Sequence, residues 1–216
     1  GAPGFMGMTK IKANFGLGIK EPTLLESYST SIYYMGNPDL RPEKTVSFDT
    51  GIEQQFNSGR GALELTYFQS RFRDQIGYAI TDYATFAGSF FNIGKSRARG
   101  LETALRHELF WHLEIGGTYT FLDSEVLEAS AASDPAFAKG QELFRRPRHS
   151  GHLDLRWNPG RLTLGVNALL VGSLVDSDYS GLNITRNDGY SLLNLLANLR
   201  LIGDMSLFAT VNNVTD

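Results

Sequence analysis

The stretch "GNPDLRPEKTVSFDTGIEQQF", residues 36–56, changes character after its second proline. Pro38 and Pro42 have fixed φ angles and no backbone N–H, which excludes a helix and a central strand, so 36–42 is predicted to be an ordered loop. From Glu43 onward the residues alternate. One face, mostly apolar, carries Val46, Phe48, Thr50, Ile52, Gln54 and Phe56, and the other, polar face carries Thr45, Ser47, Asp49, Gly51, Glu53 and Gln55. Successive side chains of a strand point to opposite faces, so a two-faced strand is predicted here.

The length, charge and composition of the chain limit the classes of protein to which it can belong. It has 216 residues, a formal charge of −3, no Cys and 23 Gly. The near-neutral charge argues against a nucleic-acid partner, and the lack of Cys excludes disulfides, thiolate metal sites and thiol nucleophiles. The sequence contains no apolar run of about 18 residues, so no membrane-spanning helix is predicted. Helical signals are nearly absent, with at most a short helix expected within 123–144, so an all-β protein is predicted.

The alternation continues along the chain and predicts nine strands. Their predicted ranges are 9–20, 43–56, 61–73, 90–108, 112–122, 148–157, 161–173, 189–201 and a last strand from about 205. The short connections are 57–60, 109–111, 158–160 and 202–204, and the long ones are 21–42, 74–89, 123–147 and 174–188. Short and long connections fall at opposite ends, which is typical of an antiparallel transmembrane β-barrel with short periplasmic turns and long extracellular loops.

The aromatic residues agree with a barrel. Phe56, Phe110, Trp111 and Trp157 lie at the short-turn ends, where an interfacial girdle is expected. A soluble β-sandwich also alternates and remains the alternative, although its strands are usually about five to six residues long. In a barrel the apolar set faces lipid, because lipid cannot form hydrogen bonds, and the polar set faces the lumen. The charged lumen set is Asp49, Glu53, Glu64, Glu102, Arg106, Glu114, Asp154 and Arg156.

Six segments resemble one protein family. They are "GLGIKEPTLLESY" (16–28), "GNPDLRPEKTVSFDTGIE" (36–53), "FNIGKSRARGLETAL" (91–105), "RRPRHSGHLDLRW" (145–157), "GYSLLNLLANLRL" (189–201) and "LFATVNNVTD" (207–216). In these segments, which come in the right order and cover most of the chain, the sequence resembles the TonB-dependent outer-membrane receptors.

The resemblance implies a barrel of about 22 strands filled by an N-terminal plug domain. Residues 1–216 are then expected to be a partial barrel domain in the bacterial outer membrane, without the plug, the TonB box or the last strand. The implied function is active import of a scarce ligand, with a ferric siderophore expected first, and no enzymatic chemistry or cofactor. The implied partners are outer-membrane lipid and lipopolysaccharide, the TonB complex acting through the plug, and the ligand.

Other functions are compatible with the same sequence features. The same fold would also suit uptake of cobalamin, an oligosaccharide or another large nutrient. A passive porin or an adhesin would account for the charged lumen. A soluble carbohydrate-binding β-sandwich is the alternative from a third class.

Candidate site residues fall into two groups. On the long-loop side, an aromatic tip and two arginines suit an anionic, aryl-bearing iron chelate; these residues are Tyr28, Tyr33, Tyr34, Met35, Arg145 and Arg146. Loop packing or contacts with lipopolysaccharide phosphates are the alternatives for them. In the lumen, the resemblance implies that Asp49, Glu53, Glu102 and Arg106 face the plug, and hydrated lumen side chains are the alternative.

No metal site is predicted. The histidines are His107, His112, His149 and His152. His149 and His152 are three residues apart on a predicted strand, so they face opposite sides and cannot share a metal ion. No arrangement of residues indicates a catalytic centre.

Overall fold

The computed structural model describes residues 7–82, 84–129, 137–177 and 184–214, and 69% of these residues are in strands. The elements are β1 (Thr9–Lys20), α1 (Leu24–Tyr28), β2 (Thr30–Ser31), β3 (Tyr34–Met35), β4 (Glu43–Phe56), β5 (Gly61–Asp82), β6 (Ala87–Glu108), β7 (Leu113–Glu128), β8 (His149–Trp157), β9 (Leu162–Val171), β10 (Leu174–Ser177), β11 (Ile184–Asn187), β12 (Tyr190–Arg200) and β13 (Ser206–Val211). None of the helices in the described ranges is long and apolar enough to cross a bilayer.

Nine of these strands form one antiparallel sheet in the order β1-β4-β5-β6-β7-β8-β9-β12-β13. They correspond to the nine predicted strands, so the prediction of nine strands in one antiparallel sheet is confirmed. Three of the four predicted long connections, 21–42, 123–147 and 174–188, separate strands as predicted, whereas the fourth, 74–89, does not. Two small additions lie in the long connections. The strands β2 and β3 form one hairpin, with Met35 of β3 pairing in parallel with Ser89 of β6, and β10 pairs with β11 in a separate two-stranded sheet.

The register aligns the predicted apolar residues on one face of the sheet. Ile52, for example, lies between Ile11 of β1 and Leu65 of β5. This face is uncovered, with Phe15 70% and Leu170 53% exposed. The buried hydrophobic residues of the described segments are Ala62, Ala79, Ile93, Ala98, Val126, Leu143 and Val175, and none belongs to the predicted lipid-facing set. No second sheet packs on the apolar face in the described part of the chain, so the β-sandwich alternative is wrong.

The strands β5, β6 and β7 are longer than predicted. Residues 74–89 were expected to form a loop, but they extend a regular hairpin, and β7 continues to Glu128 instead of ending at 122. The 22 residues of β5 far exceed the roughly 10 that a membrane strand needs, so the upper parts of these strands project beyond the bilayer. No α-helix is present in 123–129 or 137–144, and the rest of the segment considered for a short helix, 130–136, lies outside the described residues.

The projecting part has its own small core. Asp74 has a φ of 56°, and beyond it the alternation of β5 shifts so that Gln75 accepts a hydrogen bond from Ser96 on the inner face. On the same face Ile93, Val126 and Leu143 are buried together, with Phe91 and Phe137 packed against them. The chain at 137–147 therefore folds back onto the inner side of the sheet.

The aromatic residues predicted for the short-turn ends do cluster there. Phe110 and Trp111 meet edge to face at 4.7 Å, and the indole nitrogen of Trp157 donates to the carbonyl of Trp111 at 3.0 Å. Phe56 packs at 5.0 Å from the ring of His107. Because all of these contacts lie at one end, that end matches the interfacial girdle of a barrel.

Candidate functional site

The Pro-rich loop is held onto the projecting hairpin by its polar side chains. Asn37 accepts from the N–H of Asp39 at 3.0 Å, which closes a turn around Pro38, and its amide donates to the carbonyl of Phe90 at 3.0 Å. Asn92 accepts from the N–H of Arg41 and donates to its carbonyl, both at 2.9 Å. The Asn92 amide thus bonds to the loop backbone as a neighbouring strand would. The loop therefore has a defined conformation, as predicted.

The long connection 21–42, which ends in the Pro-rich loop, also contains the short helix α1, and this helix was not predicted. The N–H of Glu26 donates to the Thr23 hydroxyl at 3.2 Å, and the N–H of Thr23 donates to the Glu26 carboxylate at 2.6 Å. Desolvation opposes ionisation of Glu26, but the hydrogen bonds from Thr23 and the nearby Lys20 charge outweigh it and lower the pKa of that carboxyl. The Thr-x-x-Glu spacing at 23–26 is the signal that would have located this helix.

The predicted aromatic tip is packed on one side and open on the other. The ring of Tyr34 lies 5.4 Å from that of Tyr78, which in turn lies 5.5 Å from Phe90. The Tyr78 hydroxyl donates to the carbonyl of Tyr33, and burial, followed by the neighbouring Tyr34, raises the pKa of Tyr78. Tyr28, Tyr33, Tyr34 and Met35 are each more than half exposed.

This aromatic cluster lies on the opposite face of the hairpin from the buried core. Gly77 faces Ile93 and Phe137, and Tyr78 is the next residue along the strand, so its ring points the other way. The tip therefore packs by itself on the hairpin and does not join the Ile93 cluster.

The two predicted loop arginines differ in their surroundings. The Nε of Arg145 donates to both carboxylate oxygens of Asp176, at 3.0 and 3.1 Å, and its N–H donates to the carbonyl of Val175 at 2.8 Å. Arg145 thereby attaches its loop to β10. Arg146 is exposed and makes no ion pair with any residue in the described ranges. Of the pair, Arg146 has the more available charge.

The four predicted lumen residues share the inner face of the sheet, as the alternation required. Asp49 accepts a hydrogen bond from Asn14 at 2.8 Å. Glu53 is bound by Lys12 at 2.9 Å, and the same ammonium lies 2.9 Å from Glu64. Glu102 and Arg106 are exposed on this face. Lys12 was not predicted to belong to this set, because its two ion pairs depend on the register between β1, β4 and β5.

Some of these residues line an inner-face groove, whereas Asp49 and Glu102 lie outside it. Its volume is about 390 Å³, and its walls include Glu53, Glu64, Arg106, His152 and Asp154. His149 lies on the other face, 2.7 Å from the Tyr119 hydroxyl, so the two histidines are separated as predicted. Within the described ranges no three metal-binding side chains come together.

A family description matches this architecture. The sequence model of a protein family, described as "TonB dependent receptor-like, beta-barrel", matches residues 5–214. The chain belongs to the TonB-dependent receptor family. The receptor barrel accordingly lies in the bacterial outer membrane, with its apolar face toward lipid and its groove toward the lumen.

Relatives and solved structures agree with this placement. The receptor chain is 24% identical to the vitamin B12 transporter BtuB of Photobacterium profundum over 96% of its own length, and 26% identical to the metal-pseudopaline receptor CntO of Pseudomonas aeruginosa over 84%. It covers 31% and 25% of those relatives. The copper transporter OprC superposes with a TM-score of 0.74 at 17% identity, over 95% of this chain and 31% of that one. The ferric enterobactin receptor PfeA of Pseudomonas aeruginosa gives 0.70 at 22%, over 99% and 33%.

Proposed function

We propose that the full-length protein imports a scarce ligand across the outer membrane with energy delivered by TonB, and that the ligand is a ferric siderophore. The observation that carries this proposal is the aromatic loop fixed onto the projecting β5–β6 hairpin by Asn37, Arg41 and Asn92. A rigid, exposed aromatic surface captures a ligand without losing much loop entropy on binding. Relatives named for metal chelates are consistent with such a ligand.

The proposed capture surface consists of the exposed rings of Tyr28, Tyr33 and Tyr34, the side chain of Met35 and the charge of Arg146. Tyrosine faces stack on aryl groups, and a guanidinium binds an anionic chelate. Arg145 is engaged with Asp176, so its main role is to position the loop that presents Arg146.

The proposed plug contacts lie on the inner face. Glu102 and Arg106 keep exposed charges that a plug domain in the lumen would pair with. Glu53 already shares the Lys12 ammonium with Glu64, and Asp49 accepts a hydrogen bond from Asn14. Release of ligand requires that plug movement weaken its site, since a conformational change acts only through a difference in affinity between the two states. In this proposal the side chains on the inner face of the barrel stay in place while the plug moves.

A binding and uptake experiment tests the proposal. A full-length receptor is titrated with a ferric tricatecholate chelate and with cobalamin, and uptake is followed in cells with and without TonB. We expect the ferric chelate to bind, TonB to be required for uptake, and Arg146→Gln to weaken binding by about tenfold. Cobalamin binding without chelate binding would replace the ligand assignment, as the similarity to the vitamin B12 transporter allows. Uptake that does not need TonB would contradict active import.

A further inference from the structure

The two halves of the inner face differ in charge. In the lower part of β4–β7, which the bilayer surrounds, three cations and six carboxylates face inward. The cations are Lys10 and Lys12 of β1 and Arg106 of β6. The carboxylates, called the acidic wall below, are those of Asp49, Glu53, Glu64, Glu102, Glu108 and Glu114. Six negative charges against three positive ones leave this side of the lumen negative.

The other half, formed by β8, β9, β12 and β13, carries mostly uncharged polar groups. The strand register places Asp154, Asn167 and Asn194 in one row across three strands. On the inner face of these four described strands Asp154 is the one carboxylate, and the amide of Asn167 donates to it at 3.4 Å. The uncharged group called the amide wall below consists of Asn167, Asn194, Asn198, Thr210 and Asn212.

The amide wall contains a second inner-face groove with an available cation. Its volume is about 250 Å³, and it is lined by Arg156, Asn167, Asn194, Thr210 and Asn212, among others. Arg156 is exposed and makes no ion pair with any residue in the described part of the chain. Phe208 lies opposite Asn198 on the same face and is 72% exposed. This side of the lumen therefore offers a guanidinium, several amides and an aromatic ring.

These groups suit the passage of an anionic, aryl-bearing chelate, whereas the acidic wall repels one. Low-dielectric walls strengthen the repulsion between like charges inside a narrow lumen. An Asn side chain both donates and accepts hydrogen bonds, and neutral hydrogen bonds are weaker than charge-assisted ones. A permeating ligand must bind each site well enough to enter and weakly enough to leave. The amide wall meets both conditions, because Arg156 attracts the anion and the neutral amides do not retain it.

We propose that the ligand passes the plug along the amide wall, and that the groove at Arg156 is a transient binding site for anionic chelates on this route. The acidic wall keeps its contacts with the plug while the ligand passes on the opposite side of the lumen. The proposal rests on the proposed import of a ferric siderophore and adds to it the side of the lumen that the ligand uses. Its basis is the difference in charge between the two walls.

Uptake and binding by the full-length receptor in cells test this route. The probe is a ferric tricatecholate chelate, and the variant is Asn194→Asp/Asn212→Asp, which places two negative charges on the amide wall. The Asp at 194 keeps the oxygen that accepts from the N–H of Asn213 at 3.0 Å, so the fold should be retained. We expect TonB-dependent uptake to become about tenfold slower while the affinity of the outer loops for the chelate is unchanged.

The matched control adds the same charge to the opposite side of the lumen. Gln55 and Thr118 face inward on β4 and β7, beside the acidic wall. Gln55→Glu/Thr118→Asp should leave the uptake rate within about twofold of the wild type, because the ligand does not pass there. Equal slowing in the two double variants would overturn the proposal, and so would wild-type uptake by Asn194→Asp/Asn212→Asp.

A second pair of variants tests the groove without changing any amide. Arg156→Gln should slow uptake about threefold, and Arg156→Lys, which keeps the charge, should retain most of the rate. A wild-type receptor that neither binds nor imports the chelate would contradict the proposed function, and the route with it. Normal import by the wild type together with normal import by both Arg156→Gln and Asn194→Asp/Asn212→Asp would contradict the route alone.

Discussion

The strands β5, β6 and β7 each have a lower and an upper part, and the apolar side chains change faces between them. In the lower part Leu65, Leu101 and Phe121 point outward, whereas the inner face holds Glu64 and Glu102. In the upper part Ile93 and Val126 are buried on the inner face. The outward face there carries the basic side chains of Arg71, Arg97 and Arg99 and, farther along the hairpin, the ring of Tyr78. The inner face of one continuous sheet is thus polar below and apolar above.

The difference comes from the surroundings and not from the backbone. Lipid covers the outer face below, and apolar side chains there need no protein partner. Above the bilayer no lipid covers either face, so apolar burial requires protein, which the folded-back residues 137–147 supply on the inner face. The lower part is therefore stabilised by the membrane and the upper part by a core like that of a soluble protein.

The largest expected effect follows from placing a charge on the lipid-facing side of the lower part. Leu101→Arg should lower the free energy of unfolding by about 2–4 kcal/mol, because Arg is costly to place in the hydrocarbon zone. Thr118→Arg, at a similar height on the lumen face, should change it by less than about 1 kcal/mol. Denaturant unfolding of the full-length receptor in lipid vesicles measures both, and equal costs would contradict the assignment of faces.

In the upper part the sensitive residues lie on the inner face. Leu143 is 8% exposed, and Leu143→Ala should destabilise the folded-back segment by about 2–3 kcal/mol through lost burial and a residual cavity. Amide exchange of residues 137–147 reports this change. Leu25→Ala, on an exposed side chain, serves as the control, and equal exchange in both variants would argue against a core at this height.

The docking of the Pro-rich loop depends on Asn92. Asn92→Ala removes hydrogen bonds to both backbone groups of Arg41 and to the carbonyl of Asp74, so the loop should open more easily by about 2 kcal/mol. A spin label at Asp39 should become more mobile. Asn158→Ala, in a short turn at the other end, should leave the label unaffected; a label that stays immobile in Asn92→Ala would mean that the loop is held by other contacts.

The smallest effect concerns α1 and has a defined pH dependence. Because the folded pKa of Glu26 is lowered, its contribution is present above the ordinary value of 4.5 and is lost as pH falls through the folded pKa. Amide exchange of residues 24–28, corrected for intrinsic rates, should therefore accelerate below about pH 4. Thr23→Ala should destabilise the helix by about 1 kcal/mol at pH 7 and weaken that pH dependence. Exchange that is independent of pH would contradict the capping arrangement.

The sequence predicted the lower part well for a physical reason. A strand between lipid and a wet lumen must alternate at every position, so residues such as Val46 through Glu53 reveal both the strand and its faces. The order of strands followed from the alternation of short and long connections. The inner location of Asp49, Glu53, Glu102 and Arg106 followed from the same periodicity.

The upper part was harder to predict because water permits polar residues on either face. Asp74, Gln75 and Gly77 have the composition of a loop, yet cross-strand pairing with β6 keeps them extended. The ion pairs of Lys12 and Arg145 connect residues far apart in the chain, and single-strand patterns do not encode them. Helix α1 was detectable from its capping residues, but its five residues are too short for a periodic signal.

Cysteine accessibility tests the central claim most directly, because this chain has no Cys of its own. Single Cys substitutions at residues 46 to 53 of β4, in a full-length receptor free of other cysteines, are treated in native membranes with a water-soluble maleimide. Reaction at the odd-numbered positions, which include Asp49 and Glu53, and protection at the even-numbered ones, which include Phe48 and Ile52, is the predicted result. Uniform reaction along the strand, or reaction at the even-numbered positions alone, would contradict a sheet with lipid on its apolar side and water on its polar side.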